Sequence, residues 1–334
     1  MNTPRIPFVV FGTIACAVAL STPAHAYERA VDRTLKYPAK AGEKVVIDAA
    51  DVDVNVRAGD VKNVLVTSQL KISGVTISHA LAWIKAHTPV VTDHNDVLTI
   101  TIPHHHDGGF LGLGYLTGKA RLGVILPTSL IPDITTRNGT IELWGDFPAA
   151  DPLRLRSAKG KIHAVGAASS VDARSVSGNI RIETVRPLTS FFAQTASGDV
   201  TLTGGARKVH VDTASGNVWL NALSGPVDIV TSKGKITLRW DRVETADTIK
   251  VRTTSGDVRI ILPDGTKPSG DLRTVKGKIS TDVTATISPN GMSVTFTGPG
   301  PTLNVETASG TIELGEHGGG WKISPPSPET QPAR

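Results

Sequence analysis

The sequence predicts an all-β fold: a single-stranded, right-handed β-helix (β-solenoid) with one short helix in its N-terminal region. The first observation is a phrase, typified by Thr213-Ala-Ser-Gly-Asn-Val-Trp-Leu220, that occurs nine times. Its glycines are Gly139, Gly160, Gly178, Gly198, Gly216, Gly234, Gly256, Gly277 and Gly310. Neighbouring glycines are 18 to 22 residues apart, except for a last gap of 33. A period close to 20 in strand-forming sequence is typical of solenoids.

The second observation is that the copies agree in the positions around the glycine. The residue three before it always carries a hydroxyl: Thr136, Ser157, Ser175, Thr195, Thr213, Thr231, Thr253, Thr274 or Thr307. The residues five before and two after it are apolar. Because side chains alternate along a strand, each copy predicts two short strands that share an inward face, with a bend at the glycine, which tolerates positive φ. We expect the hydroxyls to form a buried ladder and to bond one another, since an unpaired buried hydroxyl costs roughly 1–3 kcal/mol.

The composition fits a narrow β core and excludes one class of partner. Only 4% of the 334 residues are aromatic, while small and β-branched residues are frequent. The net charge is +5 and is scattered along the chain. We therefore do not expect a nucleic-acid partner.

Residues 1–26 are predicted to be a secretory signal peptide. Arg5 supplies the positive end, residues 7–20 form an apolar core, and Ala24-His25-Ala26 is a small-x-small cleavage site. The apolar run is too short to span a membrane stably, and no transmembrane segment is predicted elsewhere. Lipid attachment at Cys16, the single cysteine of the sequence, is the alternative. The chain is thus expected to be exported, to the periplasm or the extracellular space.

Residues 27–130 are predicted to form degenerate first turns. A lead-in over 27–42 precedes strands over 44–57, where Ala49–Val54 resembles the repeated phrase with Ala50 in the glycine position. A strand pair is predicted over 61–72, and a strand over 119–127 leads into the regular repeats.

A helix and a hairpin are predicted to cap these first turns. The helix covers 76–87, with Ile77, Leu81 and Ile84 on one face beside Ala80. The hairpin covers 90–103 and turns at Asp93–Asp96, and a glycine-rich loop follows over 104–118.

Regular solenoid repeats are predicted over 131–314. The wide last gap contains residues 284–297, which we expect to form an inserted hairpin that turns at Pro289-Asn-Gly291 and closes the far end. Residues 315–334 are predicted to be a disordered tail, because they combine the glycine run Gly318-Gly-Gly320 with a proline- and serine-rich run.

Three copies of the phrase point to a known family. Ser197-Gly-Asp-Val-Thr-Leu202, Ser215-Gly-Asn-Val-Trp-Leu220 and Ser255-Gly-Asp-Val-Arg-Ile260 share one pattern. In this pattern the chain resembles the bacterial family named putative adhesin, a domain of unknown function built on such repeats. The resemblance covers most of the chain after residue 26 and is strongest over 131–314. It implies a β-solenoid and brings no catalytic residues.

One histidine cluster could bind a metal ion. His104 and His106 would share a strand face, and Asp107 or His94 could add a ligand. The alternative is a solvated polar loop, because consecutive histidines lack the spacing of known metal motifs. We predict no metal requirement and no cofactor.

A possible recognition surface is the outer column, which we define as the residues three after each glycine. Its members are Glu142, His163, Arg181, Thr201, Trp219, Thr237, Arg259, Ser280 and Glu313. Trp219 is either exposed, where it could stack on a sugar ring, or covered by a loop or a long neighbouring side chain. No binding residue is assigned on the sequence alone.

The residues that flank the glycines allow further interpretations. Lysine pairs surround three of them: Lys159 and Lys161, Lys233 and Lys235, and Lys276 and Lys278. They form either a basic strip for anionic glycan or lipid, or charge compensation in which Asp257 lies between Lys235 and Lys278. Asn179, Asp199 and Asn217 suggest either a calcium-binding repeat or bend residues that accept backbone hydrogen bonds.

Two functions remain open. Without a recognisable nucleophile and base, the sequence predicts a non-catalytic structural or binding module of the cell envelope. Its partners would be an extracellular polymer, a glycan or an envelope protein. The alternative is a carbohydrate-active β-helix enzyme, a polysaccharide lyase or hydrolase, because such enzymes share the fold.

Overall fold

The structure, a computed structural model, describes residues 27–40, 42–74, 77–103, 117–148 and 151–317. The predicted signal peptide, His104, His106 and Asp107, and residues 318–334 of the predicted tail lie outside the described residues. The chain forms two compact units that divide between Gly166 and Ala167. In each unit, we call the sheet whose strands precede the repeat glycine the B sheet, and the sheet whose strands follow it the A sheet.

The first unit contains eleven described strands and one helix. They are β1 (Tyr27–Pro38), β2 (Lys44–Ala49), β3 (Asp53–Gly59), β4 (Asn63–Gly74), α1 (Ile77–Ala86), β5 (Val90–His94), β6 (Val97–Ile102), β7 (Thr117–Pro127), β8 (Pro132–Thr136), β9 (Ile141–Trp144), β10 (Leu153–Ser157) and β11 (Ile162–Val165). The A sheet has the order β1-β4-β7-β3-β9-β11, and the B sheet has the order β10-β8-β2-β6-β5. The pairs β1–β4, β4–β7 and β5–β6 are antiparallel, and the pairs that link successive turns are parallel.

Helix α1 covers the A sheet of the first unit beside β4. Its residues Ala80 and Trp83 form a buried cluster with Leu70 and Ile72 of β4. The indole of Trp83 stacks on the His87 ring with 4.0 Å between ring centroids.

The predicted inward face of this helix is wrong. Ile77 and Leu81 are exposed, at 57% and 46%. The buried residues are instead Ala80 and Trp83, with Ile84 packed against them. Their spacing of i, i+3 and i+4 also defines one helical face. That face buries more apolar area because it contains the indole.

Three further expectations for the first unit need correction. Val52, and not Ala50, occupies the glycine position, because Ala49 pairs with Thr136 and Val54 with Ile141. In place of the strand pair predicted over 61–72, the chain forms the single strand β4, which runs antiparallel to β7 over nine residues. The lead-in forms the twelve-residue strand β1. The hairpin of β5 and β6 has the predicted turn, with positive φ at Asn95 and Asp96.

The described residues of the second unit form sixteen strands. They are β12 (Ser170–Ser175), β13 (Ile180–Glu183), β14 (Ser190–Ser197), β15 (Val200–Thr203), β16 (Val209–Ser215), β17 (Val218–Leu223), β18 (Val227–Lys233), β19 (Ile236–Trp240), β20 (Thr248–Ser255), β21 (Val258–Leu262), β22 (Ser269–Lys276), β23 (Ile279–Thr281), β24 (Thr286–Ile287), β25 (Ser293–Thr297), β26 (Thr302–Ser309) and β27 (Ile312–Glu316). Successive turns pair in parallel and in register. The predicted all-β solenoid is confirmed.

The last turn of the chain is stacked inside the second unit and not at its end. The A sheet has the order β13-β15-β17-β19-β21-β27-β23, and the B sheet has the order β12-β14-β16-β18-β20-β26-β22-β25-β24. The turn of β26 and β27 therefore lies between the turn of β20 and β21 and that of β22 and β23. The predicted hairpin, β24 and β25, pairs antiparallel with β22 at the edge of the B sheet. Strand β27 also continues through Gly315 and Glu316, which were predicted to belong to the disordered tail.

The repeat glycines are required because successive turns approach closely at the bend. A Cβ on Gly216 would overlap the carbonyl oxygen of Gly198, and one on Gly234 would overlap that of Gly216. Gly277 faces the carbonyl of Gly310, which in turn faces that of Gly256. Positive φ occurs at only some of the repeat glycines. The close approach of neighbouring backbones is therefore the common reason why these bends require glycine.

The hydroxyl column is buried in all nine copies, with exposures between 2% and 7%. Among the described residues, the expected bond between column hydroxyls forms between Thr136 and Ser157 and is otherwise wrong. The hydroxyls of Thr231, Thr274 and Thr307 donate to backbone carbonyl oxygens instead. The buried hydroxyls of Thr195, Thr213 and Thr253 have no partner in the described part of the chain. When neighbouring threonines of the column adopt the same rotamer, their hydroxyl oxygens are separated by the strand spacing of about 4.8 Å, which is too far for an O–H···O hydrogen bond. Thr136 does bond Ser157, at 3.0 Å, and also lies 2.8 Å from the carbonyl oxygen of Gly139.

Candidate functional site

The outer column of the second unit is a row of side chains on the A sheet. In spatial order it runs Arg181, Thr201, Trp219, Thr237, Arg259, Glu313 and Ser280. Glu313 lies between Arg259 and Ser280 because the last turn is inserted there. The two column residues of the first unit have local partners: Glu142 accepts a hydrogen bond from Asn55, and His163 meets Trp144 edge-on.

Trp219 is half-buried, so its environment lies between the two alternatives of a fully exposed and a covered indole. Thr201 and Thr237 lie directly opposite it on the neighbouring strands, and each is 9% exposed. The indole therefore has small hydroxyl residues on both sides and no long charged side chain directly opposite it. Its Nε1 atom is buried and has no acceptor among the described residues. An unsatisfied buried donor is uncommon and marks this position as unusual.

A β-bulge interrupts the regular stack directly after Trp219. The register of β17 against β19 shifts between Leu220 and Leu223, and Ala222 has a φ of +62°. Positive φ is rare for a residue that carries a Cβ, and bulges are over-represented beside functional sites. Among the described residues of the second unit, Ala222 is the one residue other than glycine that adopts positive φ.

Polar groups gather around the bulge. The guanidinium of Arg239 donates to the side-chain oxygen of Asn221 (3.1 Å) and contacts the His317 ring (3.4 Å). The other ring nitrogen of His317 lies 2.7 Å from the carbonyl oxygen of Trp240. Asn221 and Arg239 follow Trp219 and Thr237 by two residues, so they occupy the same sheet face. We call Trp219, Asn221, Thr237 and Arg239 the Trp219 patch.

Ion pairs use the other charged groups of the column. Arg259 donates to Glu313 at 2.6 Å, and Arg181 donates to Glu183 at the same distance. All four side chains are roughly one-third exposed. Such pairs contribute little to stability. They do neutralise the charged residues of the column on either side of Trp219. Within the patch, the guanidinium of Arg239 lies 3.6 Å from the carboxylate of Asp241.

An aromatic cluster that was not predicted from the sequence lies on the B sheet of the second unit. The Phe192 ring stacks on His210, with centroids 5.2 Å apart, and the Arg174 guanidinium lies 4.8 Å from its centroid. Asp172 accepts two hydrogen bonds from Arg174, and this interaction raises the pKa of the guanidinium. Comparing the residues six before each glycine would have revealed the pair of Phe192 and His210. Because Phe192 already stacks with protein groups, it is a poor platform for a ligand.

The polar residues that follow the glycines have structural roles. Asn179, Asp199 and Asn217 each accept the backbone N–H of the residue one turn further on, at 2.7–3.0 Å. This agrees with the reading as bend residues. Asp257 similarly accepts the N–H of Thr311, at 2.8 Å. The expected alternation of Lys235, Asp257 and Lys278 is wrong, because the inserted turn places Thr311 next to Lys278.

Metal binding has no support in the part of the chain that the structure describes. No group of three or more histidine, cysteine, aspartate or glutamate side chains suited to a metal ion occurs among the described residues. His94 lies at the end of β5, at the hairpin turn. The other three residues of the histidine cluster lie outside the described range, so this hypothesis stays a prediction.

The comparison with family models agrees with the β-solenoid fold. The family model described as Toastrack DUF4097 matches residues 42–315. No curated protein matches the sequence. Among solved structures, the chain is similar to a putative adhesin from Parabacteroides distasonis ATCC 8503, with 11% identity, coverage of 85% of this chain and 97% of that one, and a TM-score of 0.49. The chain is also similar to a putative adhesin from Bacteroides fragilis NCTC 9343, with 15% identity, coverage of 86% of this chain and 97% of that one, and a TM-score of 0.38.

Helix α1, with ten residues, is too short to cross a membrane, and the described residues include no helix that meets the length and hydropathy of a membrane span.

Proposed function

Since the chain belongs to the Toastrack DUF4097 family, we propose that it is an exported, non-catalytic, adhesin-like module that binds an extended polymer of the cell envelope. The observation that supports this role is the Trp219 patch. A half-buried indole flanked by small hydroxyl residues adjoins a bulge, an amide and a guanidinium. Aromatic rings with nearby planar polar groups are typical of surfaces that bind sugar rings.

The geometry of the outer column favours a polymer over a small molecule. Column residues repeat at the strand spacing of about 4.8 Å along the A sheet. A surface of this kind offers a linear series of contacts, as solenoids generally do. The patch lies on this open face, and a chain-like ligand could extend from Trp219 along the column in both directions.

The arginine-paired carboxylates of the second unit argue against catalysis. Glu313 and Glu183 are engaged in ion pairs with arginines, and Asp172 on the other sheet pairs with Arg174. Hydrolysis or β-elimination of a polysaccharide requires an acid and a base that converge on one bond. In the described residues, these carboxylates are dispersed over two sheets and several turns.

Export predicts a defined N-terminus. The small-x-small triplet Ala24-His25-Ala26 follows an apolar run, so cleavage is expected after Ala26. Intact mass spectrometry of the protein recovered after export should give a chain that begins at Tyr27. A lipid-modified chain that begins at Cys16 would contradict this expectation.

Binding is tested with the exported protein and two probes: a glycan array that includes acidic polysaccharides, and the protease-treated insoluble envelope fraction of the producing cells. We expect saturable binding to at least one probe. The same mixtures, assayed for new reducing ends and unsaturated sugars, should show no products. Time-dependent release of either product would favour the lyase or hydrolase alternative.

A further inference from the structure

Among the described residues, strand β1 is a long edge strand with β4 as its one paired neighbour. It pairs with β4 along all twelve of its residues and ends the A sheet of the first unit. The edge strands β5, β23 and β24 are shorter, with five, three and two residues. A long edge strand presents a row of unpaired backbone groups that can pair with another strand.

Pro38 indicates which backbone groups face the open side. Proline has no N–H, and an edge strand tolerates it where the nitrogen points away from the sheet. Alternate residues of a strand share this orientation, so Asp32, Thr34 and Lys36 direct their N–H and C=O groups outwards. In agreement, the adjacent Ala39 donates its N–H inwards to Lys62.

We propose that β1 pairs antiparallel with β1 of a second copy of this chain, in a two-fold register centred on Thr34. In this register Thr34 faces its own copy, and Asp32 of each chain faces Lys36 of the other. The outward groups then form about six backbone hydrogen bonds, two for each directly opposed pair. On the other face of the strand, Val31 lies opposite Tyr37, an aliphatic–aromatic pair of the kind that stabilises sheets.

The charges select this register over its neighbours. A register centred on Arg33 would place that guanidinium against its own copy, and like charges directly opposite each other are destabilising. A register centred on Leu35 would place Pro38 opposite Asp32, where its missing N–H removes bonds from the ladder. The register centred on Thr34 avoids both penalties.

Asp32 and Lys36 are also available for this contact. Both are exposed, and neither forms an ion pair within the described residues. Lysine and proline on an edge strand normally discourage pairing with foreign strands. In the register centred on Thr34, however, Lys36 of one chain faces Asp32 of the other. The charges that repel foreign edge strands therefore attract a second copy of this chain.

Charge reversal tests the pairing. The exported protein is studied by sedimentation equilibrium over a range of concentrations, and we expect a monomer–dimer equilibrium. Asp32→Lys places lysines opposite lysines, and Lys36→Asp places aspartates opposite aspartates. Each single variant should weaken dimerisation by about tenfold or more, because two attractive pairs become repulsive.

Two matched controls distinguish this register from a general effect of charge. The double variant Asp32→Lys/Lys36→Asp restores opposite charges and should dimerise like the wild type. An equimolar mixture of the two single variants should form heterodimers, because each supplies the charge that the other lacks. At a concentration where the wild type is monomeric, every variant should have the melting temperature of the wild type, since both positions are exposed.

The proposal is overturned if the wild-type protein remains monomeric at the highest concentration tested. It is also overturned if the single variants dimerise as tightly as the wild type, or if the double variant stays as weak as the singles.

Discussion

Replacing Thr213 by lysine is expected to unfold the second unit at ambient temperature or to lower its melting temperature by tens of degrees. Thr213 is 2% exposed and lies between Thr195 and Thr231 on the neighbouring strands. No carboxylate occupies this column. An uncompensated buried charge typically costs about 3–5 kcal/mol, which is a large share of the stability of a typical domain. Circular dichroism during heating measures the effect.

The control at the same site is Thr213→Val. The hydroxyl of Thr213 has no partner among the described residues, so replacing it by a methyl group of similar size should cost less than about 1 kcal/mol or stabilise the protein. Thr136→Val should cost more, because that hydroxyl lies 2.8 Å from the carbonyl oxygen of Gly139 and 3.0 Å from Ser157. A wild-type melting temperature for Thr213→Lys would show that the column is not buried.

Cysteines placed at Arg252 and Glu306 are expected to form a disulfide almost completely, and cysteines at Arg252 and Arg273 are expected to form none. Glu306 of β26 lies directly between Arg252 of β20 and Arg273 of β22. Neighbouring strands are about 4.8 Å apart, within the Cα distance that a disulfide allows, whereas next-nearest strands are about 9.6 Å apart.

The native sequence suits this experiment because no native cysteine is expected in the exported chain and the target residues are exposed. The sequence has a single cysteine, Cys16, which precedes the predicted cleavage site. All three target residues are exposed, so oxidation should not disturb the core. If the turns were stacked in chain order, the two outcomes would be reversed, and this result would contradict the inserted last turn.

The repeat pattern predicted the fold because the physical requirements recur at fixed positions. The hydroxyl residue, the glycine and the apolar residues each occupy one column, and every column is buried or closely packed. The order of the turns could not be predicted in the same way. Thr253, Thr274 and Thr307 satisfy the same column equally well, so the residue types do not reveal which turns are neighbours.

The candidate site was predictable only in part. Trp219 is conspicuous as the one aromatic residue in its column, but its half-burial depends on Thr201 and Thr237 in the adjacent turns. The bulge at Ala222 has no sequence signal, because alanine does not favour positive φ. Arg239 and Asn221 meet at that bulge, so their contact also required the structure.

The binding role is tested most directly by the affinity of Trp219→Ala for the protease-treated envelope fraction or for the glycan that binds on the array. We predict that the affinity falls by about tenfold or more, the size expected when a central aromatic contact is removed. Trp219→Phe should retain much of the affinity because it keeps a ring. The matched control is Val230→Ala, which removes a 39% exposed apolar residue from the B sheet and should leave binding unchanged.

Melting temperatures equal to that of the wild type would show that all three variants are folded. Wild-type affinity in folded Trp219→Ala, or an equal loss in Val230→Ala, would contradict the assignment of binding to the Trp219 patch.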